Sequence, residues 1–163
     1  MRPGEVSALD VEDLITKPSD ILLTVRRSKT DQDGRGQLVG VARGDNRHTD
    51  PIRALDDWLK IRPAVPGALF TRVIYPGRVI KERIGPRAVS RLVQERAIAA
   101  GFDGLPISGH SLRAGHATTA ALNGAPIDRI AAQTRHRRID PLIERYIRPV
   151  HALQTTSSRD LGL

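Results

Sequence analysis

His110 and Arg113 stand three residues apart at the start of a predicted helix, so both side chains project from one face beside backbone N–H groups that favour an anion. The pair can hold a phosphate, and the same spacing also suits a capping histidine and a surface arginine. Arg135-His136-Arg137-Arg138 gathers three guanidiniums around an imidazole, and Tyr146 follows within Glu144-Arg145-Tyr146-Ile147-Arg148. A basic run is equally a solvated face, and a helix tyrosine is equally core packing with its hydroxyl at the rim. Lys29 falls on a predicted hairpin, where a lysine also guards a strand edge against aggregation. Arg2 and Glu5, again three apart, fit an ordinary helix ion pair.

Positive charge links these positions. The 26 Lys and Arg exceed the 18 Asp and Glu, giving a formal charge of +8, and the isoelectric point near 10.9 points to a polyanionic partner. Lysine occurs only at positions 17, 29, 60 and 81. Guanidinium forks bind phosphate through two parallel hydrogen bonds, which suits a phosphate-reading surface better than a diffuse membrane patch. Aromatic residues are only 3% of the chain, too few for a row of rings that stacks successive bases of a single strand. The absence of cysteine removes disulfides, a thiolate nucleophile and cysteine-ligated metal, and suits a reducing cytosol.

Other chemistries fit the same residues less well. Gly109-His110-Ser111-Leu112-Arg113 begins like a serine nucleophile elbow, but Arg113 stands where a second glycine must allow the tight turn. His110, His116 and His136 lack the His-Glu-x-x-His pattern of a zinc helix, and the surrounding cations repel a dication, so no metal is expected. Asp33-Gly34-Arg35-Gly36 lacks the Gly-Lys-Ser/Thr ending of a nucleotide loop and reads as a hairpin tip, so no cofactor is expected either.

The 163 residues, 39% hydrophobic and 27% charged, predict one globular domain with a real core. No apolar run approaches the roughly 18 residues of a membrane span, and no signal peptide follows Met1. Positions 3–14 read as a short helix and turn. Ile21–Val25 and Gln37–Val41 form a predicted hairpin, with a third strand expected around His48 to Ile52. Ala54, Leu55, Trp58 and Leu59 mark a helix that stops before Pro63, followed by a Pro- and Gly-spaced loop. Helices are predicted over 86–100, closed by Gly101, then from Ser108 to Leu122, over 127–133 and over 141–147. Thr155-Thr156-Ser157-Ser158 reads as a loose tail. The fold class is therefore mainly α, in the α+β sense, with a small antiparallel three-stranded β-sheet.

As a set, these residues resemble a known family. Arg2-Pro3-Gly4-Glu5-Val6, Ser28-Lys29-Thr30, His110-Ser111-Leu112-Arg113, Thr134-Arg135-His136 and Glu144-Arg145-Tyr146 occur in the order of the tyrosine recombinase, or phage integrase, catalytic domain. The resemblance runs from about Arg2 to Pro149. It implies a catalytic domain over 1–149 that lacks its first helices and the N-terminal DNA-binding domain, with residues 150–163 as a C-terminal tail. By that similarity Arg2 and Arg113 are the phosphate-binding arginines, Lys29 the hairpin lysine, His110 the paired histidine, His136 the second histidine and Tyr146 the nucleophile. The family cuts and rejoins duplex DNA without metal or ATP.

The implied chemistry suits those residue types. Attack of a phenol on a phosphodiester passes through five-coordinate phosphorus with extra charge on the non-bridging oxygens, which Arg2, Arg113 and His136 would offset. His110 fits the base, Lys29 the general acid for the leaving 5′ oxygen, and the product would be a 3′-phosphotyrosyl link. Two features depart from the pattern: Arg135 stands where the family commonly has a small residue such as glycine, and Arg2 is the second residue of the chain. The expectation is a fragment that binds DNA weakly and recombines poorly alone. Double-stranded DNA is the implied partner, with monomers in the free state assembling as a tetramer on two DNA sites. The implied location is the bacterial cytoplasm, at the nucleoid. The rival reading is an inactive DNA-binding or regulatory remnant of the same fold.

Overall fold

Pro3, whose fixed φ and missing N–H suit a first helical turn, opens α1 (Pro3–Ala8). The computed structural model describes residues 1–26, 36–136 and 138–161, and α1 begins the first of two units, Met1–Pro106 and Ile107–Leu163. Among the described residues the fold is mainly helical with two small antiparallel sheets.

Strands β1 (Leu14–Thr16), β2 (Asp20–Val25) and β3 (Gln37–Ala42) form the three-stranded sheet in that order. The predicted hairpin is present, with Ile21 opposite Val41 and Leu23 opposite Val39. Its period of two places Ile21, Leu23 and Val25 on one buried face with Val39 and Ile52. The third strand is β1 rather than the segment around His48 to Ile52. There Asn46 Oδ1 accepts from the His48 amide at 2.9 Å and Asp50 Oδ1 accepts from the Ile52 amide at 3.0 Å. A turn and an N-cap followed by Pro51 are helix-start chemistry, and α2 (Pro51–Ile61) begins there.

The segment expected as a loop between α2 and the next helix holds a hairpin, β4 (Thr71–Ile74) and β5 (Arg78–Arg83), turned at Gly77 with φ 117°. Its outer positions are charged and exposed, so it lacks the apolar alternation that marks a half-buried strand. Arg83 anchors it to the end of α1 by donating to the carbonyls of Ser7 at 2.7 Å and Leu9 at 2.9 Å and pairing with Asp10. Ser7 Oγ returns a bond to the Ile84 carbonyl at 2.6 Å. Helix α3 (Pro86–Ala99) completes this unit.

The second unit contains α4 (Ser111–Leu122), α5 (Ile127–Thr134), the single turn α6 (Asp140–Leu142), a wide π turn over Ile143–Ile147 and α7 (Arg148–Gln154). Ala117, Ala121, Ile130, Ala131, Leu142 and Ile147 form its core. The helix predicted to end at Ile147 thus continues to Gln154. Within the expected loose tail, Ser157–Asp160 makes a 3-10 turn capped by Thr156, whose Oγ1 accepts from the Ser158 amide at 3.3 Å.

Burial of Asp50 works against its carboxylate, but amide hydrogens from Gly44 and Ile52 and the charge of Arg43 outweigh it and hold the pKa below its ordinary value. A depressed folded pKa contributes stability fully above the unfolded value, about 3.9, and loses it as pH falls through the folded one. Asp50→Ala is expected to lower the urea midpoint at pH 7, with the difference from wild type shrinking below about pH 4; urea titrations at both pH values test this.

Candidate functional site

Ser108 builds the entrance to α4. Its Oγ accepts from the His110 amide at 3.2 Å, and its own amide donates to Ser111 Oγ at 2.9 Å. His110 becomes the N-cap residue, exposed, while Arg113 one turn on is buried at 8% exposure. Arg113 shares a stripe with Ala117 and Ala121, which lie four and eight residues further along and belong to the core. The expected shared face is therefore divided by depth, with His110 exposed and Arg113 buried.

The end of α5 sets the position of His136. The His136 amide donates to the Ala131 carbonyl at 3.1 Å and the Arg135 amide to Ala132 at 3.2 Å, the paired bonds of a Schellman cap. That cap requires a left-handed residue, and Arg135 supplies it with φ 56° and ψ 49°. The same device ends α3 at Gly101, with φ 82°, and α4 at Gly124, with φ 75°. Glycine adopts this conformation without a Cβ clash; Arg135 is the non-glycine residue with positive φ among the described residues. Arg135 is also buried, at 7% exposure.

Thr134, the last residue of α5 and buried, bonds its Oγ1 to the Ile130 carbonyl at 2.6 Å and to His136 Nδ1 at 2.6 Å. The half-buried His136 ring lies 6.3 Å from the Tyr146 ring, centroid to centroid, at 53°. Tyr146 sits in the π turn, half-buried against the core of α4 and α5. Pro149 has no N–H to offer the Arg145 carbonyl four residues back, and just before it the Arg148 amide reaches Ile143, five back, which is the bond of a wide turn.

In the first unit Arg2 precedes α1. Its amide donates to Glu5 Oε2 at 2.6 Å and its Nη1 to Oε1 at 2.8 Å. Glu5 is buried at 5% exposure, so this pair is an anchored cap rather than a surface ion pair. Lys29 lies outside the described residues. Thus His136 and Tyr146 are ring neighbours within a unit that also carries His110 and Arg113, while Arg2 belongs to the other unit. Sequence reasoning quoted Thr134 in a motif without giving it a role and did not see the anchoring role of Glu5; the Thr-x-His spacing and the carboxylate at the third helical position are the available signals. Among the described residues no cluster of three or more His, Asp or Glu could hold a metal ion.

The sequence matches the Phage integrase family over residues 1–152. The chain belongs to that family. Among curated relatives, an integrase/recombinase xerD homolog of Selenomonas ruminantium is 29% identical over 146 residues, covering 90% of this chain and 42% of the relative. The crystal structure of XerA recombinase matches with a TM-score of 0.67 at 20% identity, over 95% of this chain and 52% of that one. XerH site-specific recombinase bound to a palindromic difH substrate, in a post-cleavage complex, matches with a TM-score of 0.66 at 12% identity, over 99% of this chain and 41% of that one. The chain spans about half the length of XerA and less of the other two. Its fold is that of the tyrosine recombinase catalytic domain, and the ordered motifs from Arg2 to Tyr146 lie within the matched span.

In this phage integrase family domain, Arg135→Gly is expected to raise the melting temperature by about 2–4 °C, the equivalent of about 1 kcal/mol of relieved left-handed strain. A scanning-calorimetry midpoint that falls would show that contacts of the Arg135 side chain outweigh the strain. Glu5→Ala is expected to destabilise the chain by about 1 kcal/mol through loss of the α1 cap, read from urea unfolding.

Proposed function

We propose that this domain breaks and rejoins duplex DNA with Tyr146 as nucleophile, acting as the catalytic part of a site-specific recombinase. The observation that carries the reading is the pairing of Tyr146 with the His136 ring in a unit that also holds Arg113 and His110. XerH, solved on its difH substrate before and after cleavage, supports duplex DNA as the partner. Eight arginines against four carboxylates in Ile107–Leu163 provide a matching field.

In the proposed step the Tyr146 oxygen attacks the scissile phosphorus, the bond from phosphorus to the 5′ oxygen breaks, and a 3′-phosphotyrosyl ester remains. The phenol, with a pKa of about 10, needs roughly 4 kcal/mol to lose its proton at neutral pH, and the His110 imidazole takes it. Arg2 and Arg113 offset the charge that gathers on the non-bridging oxygens, with His136 beside them. Lys29 gives its proton to the departing 5′ oxygen. A second 5′ hydroxyl reverses the step, so joining strands needs no nucleotide. Four such domains would assemble on two DNA sites from chains that are monomeric when free.

A nicked duplex whose 5′ product diffuses away traps the ester. Wild-type chain is expected to give a covalent band on a denaturing gel, Tyr146→Phe none, and Arg113→Ala a rate lowered by about 10²–10³-fold. An undiminished band from Tyr146→Phe would refute the assignment, and duplex binding with no wild-type band would favour the binding-only remnant.

A further inference from the structure

We infer that Asp13, together with Asp10, is a positioning residue for the proposed general acid: the two carboxylates grip Arg26 and so fix the end of β2 from which the chain runs on to Lys29. The grip itself rests on ion-pair geometry, and its consequence for catalysis rests on the recombinase reading.

Asp10 and Asp13 bracket a 3-10 turn over Val11–Asp13 and hold each other in place. The Asp10 amide donates to Asp13 Oδ2 at 2.9 Å, and the Asp13 amide to the Asp10 carbonyl at 3.1 Å. Strand β1 starts at the next residue, and the register that sets Leu14 opposite Leu23 brings the chain beyond Val25 alongside this turn. Arg26, the first residue past β2, spans the two carboxylates. Its Nε donates to Asp13 Oδ1 at 2.6 Å and its Nη1 to Asp10 Oδ2 at 3.0 Å. Two bonds from one rigid plane fix orientation as well as position. Asp13 is buried at 3% exposure, so its carboxylate is a fixed point rather than a surface partner.

Arg83 completes the arrangement by pairing with Asp10 and bonding the Ser7 and Leu9 carbonyls at the end of α1. Two guanidiniums thus face two carboxylates, and the charge of Arg26 is balanced within the protein. Glu5, which anchors Arg2, lines one cleft of about 210 Å³ together with Asp13, Thr24 and Arg26. The supports of Arg2 and of the segment leading to Lys29 are therefore neighbours within the first unit. Lys29 itself lies outside the described residues, three positions past Arg26. Three residues of chain reach at most about 11 Å, so the place where Arg26 is held bounds where the Lys29 proton is delivered. A grip lost at Arg26 leaves attack by Tyr146 intact and impairs protonation of the leaving 5′ oxygen.

Replacing the bridging 5′ oxygen at the scissile phosphate of the nicked duplex with sulfur separates this role from a structural one. As the bond from phosphorus to oxygen breaks, the leaving oxygen takes the Lys29 proton; a thiolate, whose thiol has a pKa of about 8.5, leaves without one. Arg26→Gln alters a side chain that is 53% exposed, and Asp13→Asn keeps an oxygen for the Asp10 amide. Each is expected to slow adduct formation about tenfold or more with the oxygen substrate and less than about twofold with the sulfur substrate, at unchanged duplex affinity. In Lys29→Ala, whose own loss the sulfur also reverses, adding Arg26→Gln is expected to slow the oxygen substrate no further. Equal slowing on both substrates, additive losses, or no slowing at all overturns the positioning role. Without DNA, nitrogen-15 NMR of the arginine side chains reads the grip. A slowly exchanging Nε–H signal, missing from Arg26→Gln, is expected in wild type and lost in Asp13→Asn; its absence from wild type overturns the grip. A wild-type chain that forms no adduct with either substrate overturns the recombinase reading and the catalytic half of the inference, while the arginine signal still decides the grip.

Discussion

The left-handed end of α5 is the constraint on which the candidate site depends. With φ 56° at Arg135 the chain turns back sharply enough for the His136 amide to reach Ala131 and for its ring to reach the Thr134 hydroxyl. Continued helical geometry would carry position 136 onward along the axis, away from both partners. The chain makes this cap with glycine at Gly101 and Gly124 and with arginine beside His136. A strained non-glycine residue persists when its surroundings over-determine it, and such residues cluster at functional sites.

A second backbone irregularity places the phenol. Leu142 and Ile147 are both buried in one core though five residues apart. An α-helix advances about 100° per residue, so it would set them about 140° apart around its axis. Widening the turn over Ile143–Ile147 lowers the rotation per residue and brings both onto the same face, with Ile143 and Tyr146 packed beside them. Pro149 removes the amide that would otherwise close the regular bond to Arg145. Core packing and the wide turn therefore place the tyrosine.

Much of the architecture was legible because apolar spacing and capping residues agree. The β2–β3 pairing, α3 with Gly101 after it and α4 before Gly124 all carry such double signals. The β4–β5 hairpin was hidden because Arg72, Arg78, Lys81, Glu82 and Arg83 break any apolar alternation. Strand β1 has only three residues, too few for a period, and its place was assigned to a segment that Asp50 and Pro51 turn into a helix start. At the site, the residue types and their order were readable, as was the spacing of Arg2 and Glu5. The bond between Thr134 and His136 was not, because separation by two brings side chains together only after the left-handed turn, and arginine is not a residue that announces one. The wide turn likewise leaves no mark on a pattern read at 3.6 residues.

Under the proposed function, Arg113 sets function against stability. It occupies a position on α4 whose stripe, through Ala117 and Ala121, faces the core, and it is buried to 8% exposure. A guanidinium taken from water loses hydration that a leucine or methionine would not, and replacing buried ionic groups with apolar ones of similar volume is often neutral or stabilising. In the proposed function a phosphodiester gives a reason to keep arginine on that stripe, because the planar fork would bind two of its oxygens at once, and an already desolvated fork binds them more strongly than one exposed to water. Preorganisation of this kind is stabilisation given up in the free chain and recovered when the anion arrives, most fully when added charge gathers on those oxygens.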